Sequence, residues 1–238
     1  MRGDPCLRCA FLLVSDNFYD KPLSVLRVAR CAEYFEPRDI TGYRTTTVYH
    51  PGRIRRRLEQ VLGLRITRWD AGPADDNGVF YVTPAAGRMR ERPAVHYDEP
   101  ETDLTVLIYL TPGVPANCGT SLWRHRPTGL KAAPTSSDAR RLGVALRELR
   151  DEMERDARRR TKWVEVARVD YKFNRLVAFP SRFLHSATHH FGRSVRDARI
   201  YQAFRLGTDL SSFHHPPRSG KGNRHCGGSR RAFAAKSW

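Results

Sequence analysis

Residues 93–110 read PAVHYDEPETDLTVLIYL, and this stretch places two metal-binding types of side chain directly before the most apolar run of the chain. His96 and Asp98 stand two positions apart in a segment that we expect to be extended, and the apolar run covers residues 104–110. Side chains at i and i+2 of a strand project from the same face, so the imidazole and the carboxylate would converge on one point. The stretch therefore predicts half of a metal site followed by a buried strand.

Length and composition indicate one sizeable domain. The chain has 238 residues, of which 40% are hydrophobic, and this is enough for a packed core. It contains no run of 18 apolar residues, and residues 1–18 do not resemble a signal peptide, so we expect a cytoplasmic protein without a membrane segment. The five cysteines are scattered, which favours free thiols. Cys6 and Cys9 have CxxC spacing, but no second pair completes a four-ligand zinc site.

The net charge of +17 leaves a second function class open. A basic surface attracts nucleic-acid phosphates, so a nucleic-acid-binding protein is the alternative to an enzyme. The positive residues are spread along the chain, however, and residues 214–238 form a basic tail without any acidic residue. No zinc-finger, helix-turn-helix or RNA-binding aromatic pattern accompanies the charge, so nucleic acid is possible as a partner but not favoured.

Hydrophobic periodicity indicates a mainly β protein with helices, of the α+β class. Helices are predicted over residues 22–34, after Pro51-Gly52, and as one charged insertion within 136–160 that is capped by Ser136, Ser137 or Asp138. Strands are predicted over residues 10–14, 65–69, 79–83, 104–110, 120–126, 163–169, 175–179 and 199–206. The helices near the N-terminus most simply pack on one face of a sheet.

Two later features add polar side chains to this β pattern. One strand ends at the Pro180 turn, and the β pattern resumes at His185. In residues 199–206, alternation places Arg199, Tyr201, Ala203 and Arg205 on one face. An arginine that points inward is costly to bury without an anionic partner, so the strand predicts a carboxylate near Arg199.

This order of features resembles the iron(II)- and 2-oxoglutarate-dependent dioxygenases, most closely the prolyl-hydroxylase-like branch and its uncharacterised bacterial relatives. The resemblance covers residues 79–206. It implies a double-stranded β-helix core, also called a jelly-roll or cupin-like core, with the N-terminal helices on one sheet. We expect one domain over residues 1–213 and a separate tail over 214–238. The resemblance also implies that His96, Asp98 and His185 bind iron(II), and that Arg199 holds the far carboxylate of 2-oxoglutarate.

The implied reaction consumes dioxygen and 2-oxoglutarate, releases succinate and CO₂, and hydroxylates an unactivated C–H bond. Arg-x-Ser is common where this chain has Arg199-Ile-Tyr201, so the hydroxyl partner of the cosubstrate is expected from Tyr201, Tyr81, Tyr109 or Thr120. Trp123, Arg124, Arg126 and Arg205 are candidates to line the mouth of the site. Their charge favours an amino acid, a peptide or another small carboxylate-bearing metabolite as substrate.

A non-catalytic jelly-roll protein remains the plainer alternative. His185 would then be a core histidine bonded to the backbone, while His96 and Asp98 would only orient each other. The sequence does not indicate an oligomeric state.

Overall fold

The computed structural model describes residues 12–37, 42–69, 77–85, 94–98 and 102–209. These residues form an α+β structure of antiparallel sheets with few helices, an arrangement compatible with a jelly-roll-like fold. The pair Cys6 and Cys9 and the basic tail 214–238 lie outside the described residues. Within the described ranges, no helix is both long and apolar enough to cross a membrane.

Eleven strands and four α-helices are present in the described part of the chain. The strands are β1 (Leu13–Ser15), β2 (Tyr34–Phe35), β3 (Tyr43–Thr45), β4 (Ile66–Arg68), β5 (Phe80–Thr83), β6 (Leu104–Tyr109), β7 (Thr120–His125), β8 (Trp163–Val169), β9 (Leu176–Pro180), β10 (His185–Ala187) and β11 (Arg199–Thr208). The helices are α1 (Pro22–Cys31), α2 (Gly52–Leu62), α3 (Ser136–Leu142) and α4 (Leu146–Asp156).

The strands form a large sheet and a small sheet. The large sheet has the order β1-β9-β6-β11-β5-β3-β2, with β4 paired to the end of β11, and the small sheet has the order β10-β7-β8. The apolar run 104–110 contains β6, which is buried along its whole length between β9 and β11. Burial on both faces explains why this strand reads as a continuous apolar run rather than an alternating one.

The alternation predicted for β11 separates two apolar clusters. Ile200, Phe204 and Leu206 pack in a cluster with residues of α1 and α2, including Leu26 and Leu58. On the other face, Ala203 and Tyr201 join a cluster that includes Tyr109 of the large sheet and Leu122 and Val169 of the small sheet. Helices α1 and α2 therefore cover one face of the large sheet, and the small sheet lies against the other face. The candidate site lies on this second side.

The charged insertion within 136–160 consists of two helices rather than one. Gly143 adopts a left-handed conformation with φ 69°, which ends α3 and turns the chain into α4. The N-cap is Thr135, and not Ser136, Ser137 or Asp138, because the Thr135 hydroxyl and the Asp138 carboxylate satisfy each other's backbone N–H groups. Leu149 and Met153 of α4 pack on the outer face of the small sheet.

Candidate metal centre

Reciprocal backbone hydrogen bonds bring His96 and His185 together. The His96 N–H donates to the His185 carbonyl at 3.0 Å, and the His185 N–H donates to the His96 carbonyl at 2.8 Å. Directly opposed residues of an antiparallel pair project to the same face, and the two imidazole rings lie 4.4 Å apart. The Asp98 N–H is held by the Ser181 carbonyl at 2.9 Å. As a result, one ligand atom from each of His96, Asp98 and His185 lies within 4.8 Å of the other two.

Hydrogen bonds at Nδ1 orient both imidazoles. The Nδ1 atom of His96 lies 3.0 Å from the Ala94 carbonyl oxygen, and that of His185 lies 2.9 Å from the Phe183 carbonyl oxygen. A carbonyl oxygen only accepts, so each Nδ1 carries a hydrogen and Nε2 is the ring nitrogen that could bind a metal ion. Burial, aided by the neighbouring His96, lowers the pKa of His185 to about 4. His185 is therefore neutral at pH 7, as a metal ligand must be.

Asp98 is buried and remains ionised because cationic and hydroxyl groups surround it. Arg205 Nη2 donates to Asp98 Oδ1 at 3.0 Å, and the Thr105 hydroxyl donates to Oδ2 at 2.5 Å. Burial alone would raise the pKa of the Asp98 carboxyl, but the Arg205 charge and the two histidines, with the Thr105 hydrogen bond, hold it well below its usual range. Two imidazoles and one carboxylate on one side of a centre are compatible with iron(II) binding.

Arg199 lies on the inner face of β11 and is 2% exposed. Its guanidinium donates to the carbonyls of Cys118 and Gly119 and to the Thr120 hydroxyl, at 3.3 to 3.4 Å. Within the described ranges, no carboxylate lies at ion-pair distance from it. A buried guanidinium that has only neutral partners is costly, so the position is suited to an anionic ligand.

The four groups expected to supply the hydroxyl partner surround Arg199 or its neighbours. Tyr109 and Tyr201 place their rings 5.3 Å and 4.4 Å from the Arg199 guanidinium carbon. The Tyr109 hydroxyl and the Thr120 hydroxyl are hydrogen-bonded to each other at 2.7 Å. The ring of Tyr81 stacks on that of Tyr201, with centroids 5.2 Å apart. The structure thus brings all four residues to one region.

The four residues expected at the mouth of the site are separated from one another. Arg205 contacts Asp98, as described above. Trp123 is 5% exposed, packs on the side of the small sheet that carries α3 and α4, and donates its indole N–H to Ser186. Arg126 is exposed, and its Nε donates to the Trp163 carbonyl. Arg124 is half-buried and shares its face of β7 with Thr120 and Leu122.

Sequence reasoning missed polar groups that the structure places beside the predicted ones. Thr105 interrupts the apolar run 104–110, and a hydroxyl in such a run could have been recognised as a partner for a nearby carboxylate. Thr83 and His190 lie near Arg199, and each has a buried polar atom that finds no hydrogen-bond partner in the part of the chain that the structure describes. The position of Thr83 depends on the register between β5 and β11, which the sequence pattern does not specify.

Fold and site together define an α+β protein with a candidate His–Asp–His metal centre and a buried arginine on the same side of the large sheet. The chain belongs to a family of unknown function, DUF6445, whose model matches residues 8–198. No curated protein matches the sequence. Among solved structures, the chain is similar to a Pseudomonas putida prolyl-4-hydroxylase, with 13% identity and a TM-score of 0.41 over 84% of this chain and 95% of that one.

Proposed function

We propose that the protein is a non-haem iron(II)- and 2-oxoglutarate-dependent oxygenase. The observation that carries the proposal is the presence of a His–Asp–His cluster and a buried arginine without a carboxylate partner on the same side of the large sheet. The first suits a divalent metal ion and the second suits a carboxylate, so together they match a chelating 2-oxo acid. A double-stranded β-helix core and a single domain over residues 1–213 belong to the same proposal.

The spacing of the two groups supports one shared ligand. Thr105, which contacts Asp98, and Tyr109, which contacts Arg199, are four residues apart on β6, or about 13 Å between Cα atoms. His185 pairs with Leu122, and Thr120 lies two residues further along β7, or about 7 Å away. Side chains reach inward both from the metal cluster and from the region of Arg199. The gap that remains between these two groups suits a short dicarboxylate.

In this proposal each residue has a separate task. His96, Asp98 and His185 hold iron(II), while Thr105 and Arg205 fix the orientation of the Asp98 carboxylate. Arg199 binds the far carboxylate of 2-oxoglutarate. When bound with 2-oxoglutarate and dioxygen, the iron supplies the oxidising chemistry for hydroxylation of a C–H bond, with succinate and CO₂ as co-products.

The proposed substrate is an amino acid, a peptide or another small carboxylate-bearing metabolite. Arg124 supports this class, because the residue is half-buried on the inner face of β7 and has no ion-pair partner among the described residues. Trp123 and Arg126 do not support it, since both make contacts on the side of the helical insertion.

Anaerobic titration tests the proposal directly. We expect iron(II) followed by 2-oxoglutarate to produce a visible metal-to-ligand charge-transfer band, and admission of dioxygen to release succinate. His96→Ala and His185→Ala should abolish both. The matched control is His50→Ala, which removes a histidine that contacts Trp69 outside the cluster and should leave both unchanged.

A wild-type protein with no affinity for iron(II) and no band would overturn the oxygenase proposal. The nucleic-acid alternative has a different signature. Binding to nucleic acid should weaken steeply with salt and persist in His96→Ala and His185→Ala.

A further inference from the structure

Two buried polar atoms near Arg199, Thr83 Oγ1 and His190 Nδ1, have no hydrogen-bond partner among the described residues. Thr83 is 3% exposed. Buried polar groups in folded proteins are almost always hydrogen-bonded. A buried polar group without a partner beside a functional site is therefore a candidate to bind a ligand or an ion. Thr83 is paired with Arg199 across two strands, and the charge of Arg199 acts on His190.

The sheet register places the Thr83 side chain beside that of Arg199. The two residues are direct partners in the antiparallel pair of β5 and β11. Direct partners share a face, with Cβ atoms about 5 Å apart. Tyr81 and Tyr201 form the next pair along the same face, and their rings stack with centroids 5.2 Å apart. The side chains of both strands therefore point to the same side.

His190 approaches the same place from the segment between β10 and β11. Burial is the main cause that lowers the pKa of His190 to about 4, and the charge of Arg199 adds to it, while a hydrogen bond with the Thr83 backbone opposes it. The imidazole therefore lies within electrostatic reach of Arg199 and against Thr83. Thr83, His190 and Arg199 therefore lie in one region.

The other hydroxyls around Arg199 are less available for a ligand. The hydroxyls of Tyr109 and Thr120 share one hydrogen bond at 2.7 Å, and Thr120 also accepts from Arg199. Thr83 Oγ1 is the fully buried hydroxyl oxygen near Arg199 that has no hydrogen-bond partner among the described residues. A hydroxyl that donates to a carboxylate makes a short, charge-assisted hydrogen bond.

Building on the proposed oxygenase function, we propose that Thr83 donates to the carboxylate that binds Arg199, and that His190 lines the same pocket through Nδ1. This arrangement selects dicarboxylic 2-oxo acids, because the Arg199 charge has no anionic partner and the Thr83 hydroxyl has no hydrogen-bond partner when the ligand lacks a far carboxylate.

Thr83→Val tests the hydroxyl, because valine has the same shape and no hydrogen to donate. We expect the Kd for 2-oxoglutarate, measured by anaerobic titration of the iron(II) protein, to rise about tenfold. Thr83→Ser keeps the hydroxyl and should stay near wild type. The Kd for a 2-oxo monocarboxylate such as pyruvate should change little in either variant, and iron(II) affinity without the 2-oxo acid should be unchanged.

Glutarate, which lacks the 2-oxo group, separates the pocket from the metal chemistry. Calorimetric titration of the metal-free protein with glutarate should show binding that Arg199→Met abolishes and that Thr83→Val and His190→Phe weaken. This pattern without any charge-transfer band would support the pocket and overturn the oxygenase function. A normal band with equal 2-oxoglutarate affinity in wild type and Thr83→Val would overturn the role of Thr83 and leave the oxygenase function standing. No binding of either acid to the wild type would overturn both.

Discussion

Gly119 is a residue near Arg199 whose position depends directly on the absence of a side chain. Its carbonyl accepts a hydrogen bond from Arg199, and a Cβ atom built on it would lie 1.8 Å from the Val169 carbonyl oxygen. Both obstacles are backbone atoms, since the Tyr171 nitrogen is also within 2.9 Å. The start of β7 can therefore approach the end of β8 only when residue 119 has no side chain.

Gly119→Ala should accordingly destabilise the protein. Because the backbone of β8 must move to admit the methyl group, we expect a loss of about 3 kcal/mol in the free energy of unfolding, measured by urea denaturation. The control is Gly52→Ala, where a Cβ atom meets nothing within 4 Å and α2 gains a better helix former. Equal urea midpoints for the two variants would contradict the close approach.

At the scale of elements, a charge cluster ties β1 to β9. Asp16, directly after β1, is bonded to Arg175 at 2.6 Å and to Lys172 at 2.8 Å. The hydrogen bond from Arg175 is the largest influence on the carboxyl and lowers the pKa of Asp16 to about 2 from its usual 3.8. Since β1 is a short edge strand of three residues, this cluster adds to the few backbone bonds that hold it.

The pH dependence of stability follows from that shift. A carboxyl with a lowered pKa in the folded state stabilises the protein above pH 4, and the contribution is lost as pH falls from 4 through 2. Asp16→Asn should remove about 1 kcal/mol at pH 7, a value reduced for solvent screening, and should flatten the acid limb of the stability curve. Asp151→Asn, on the exposed face of α4, serves as the control and should do neither.

Most of the strands and helices were predictable from the sequence, but which strands pair with one another was not. The apolar run 104–110 and the alternation over 199–206 predict β6 and β11, because a short continuous apolar run and a period of two both indicate a strand. The two-residue strand β2 and the three-residue strand β3 are too short to show any period. The break at Gly143 was missed because the helical pattern continues across it.

The same division applies to the candidate site. The alternation predicts that Arg199 points inward, since this needs only one strand. The pairing of Thr83 with Arg199 and the contact of Arg205 with Asp98 depend on how segments that are far apart in sequence are aligned. Such contacts follow from sheet topology, which single-strand patterns do not encode.

For the whole molecule, the candidate centre joins two distant chain segments, so metal binding should stabilise the folded state. At a free iron(II) concentration of about 100 times Kd, the gain is about 2.7 kcal/mol, which corresponds to about 5 to 10 °C in Tm for a domain of this size. Thermal unfolding followed by circular dichroism under anaerobic conditions measures it. His185→Ala should show no rise in Tm, whereas His50→Ala should behave as the wild type does.

The reciprocal backbone bonds between His96 and His185 have a consequence for metal exchange. These bonds form between main-chain groups, so the entropy cost of closing the long loop between the two residues is met during folding and not when an ion binds. Chelation should then release the ion while leaving the polypeptide folded, and a second divalent ion should enter by simple replacement. Which ion occupies the centre is decided by ligand chemistry and by the metals in supply.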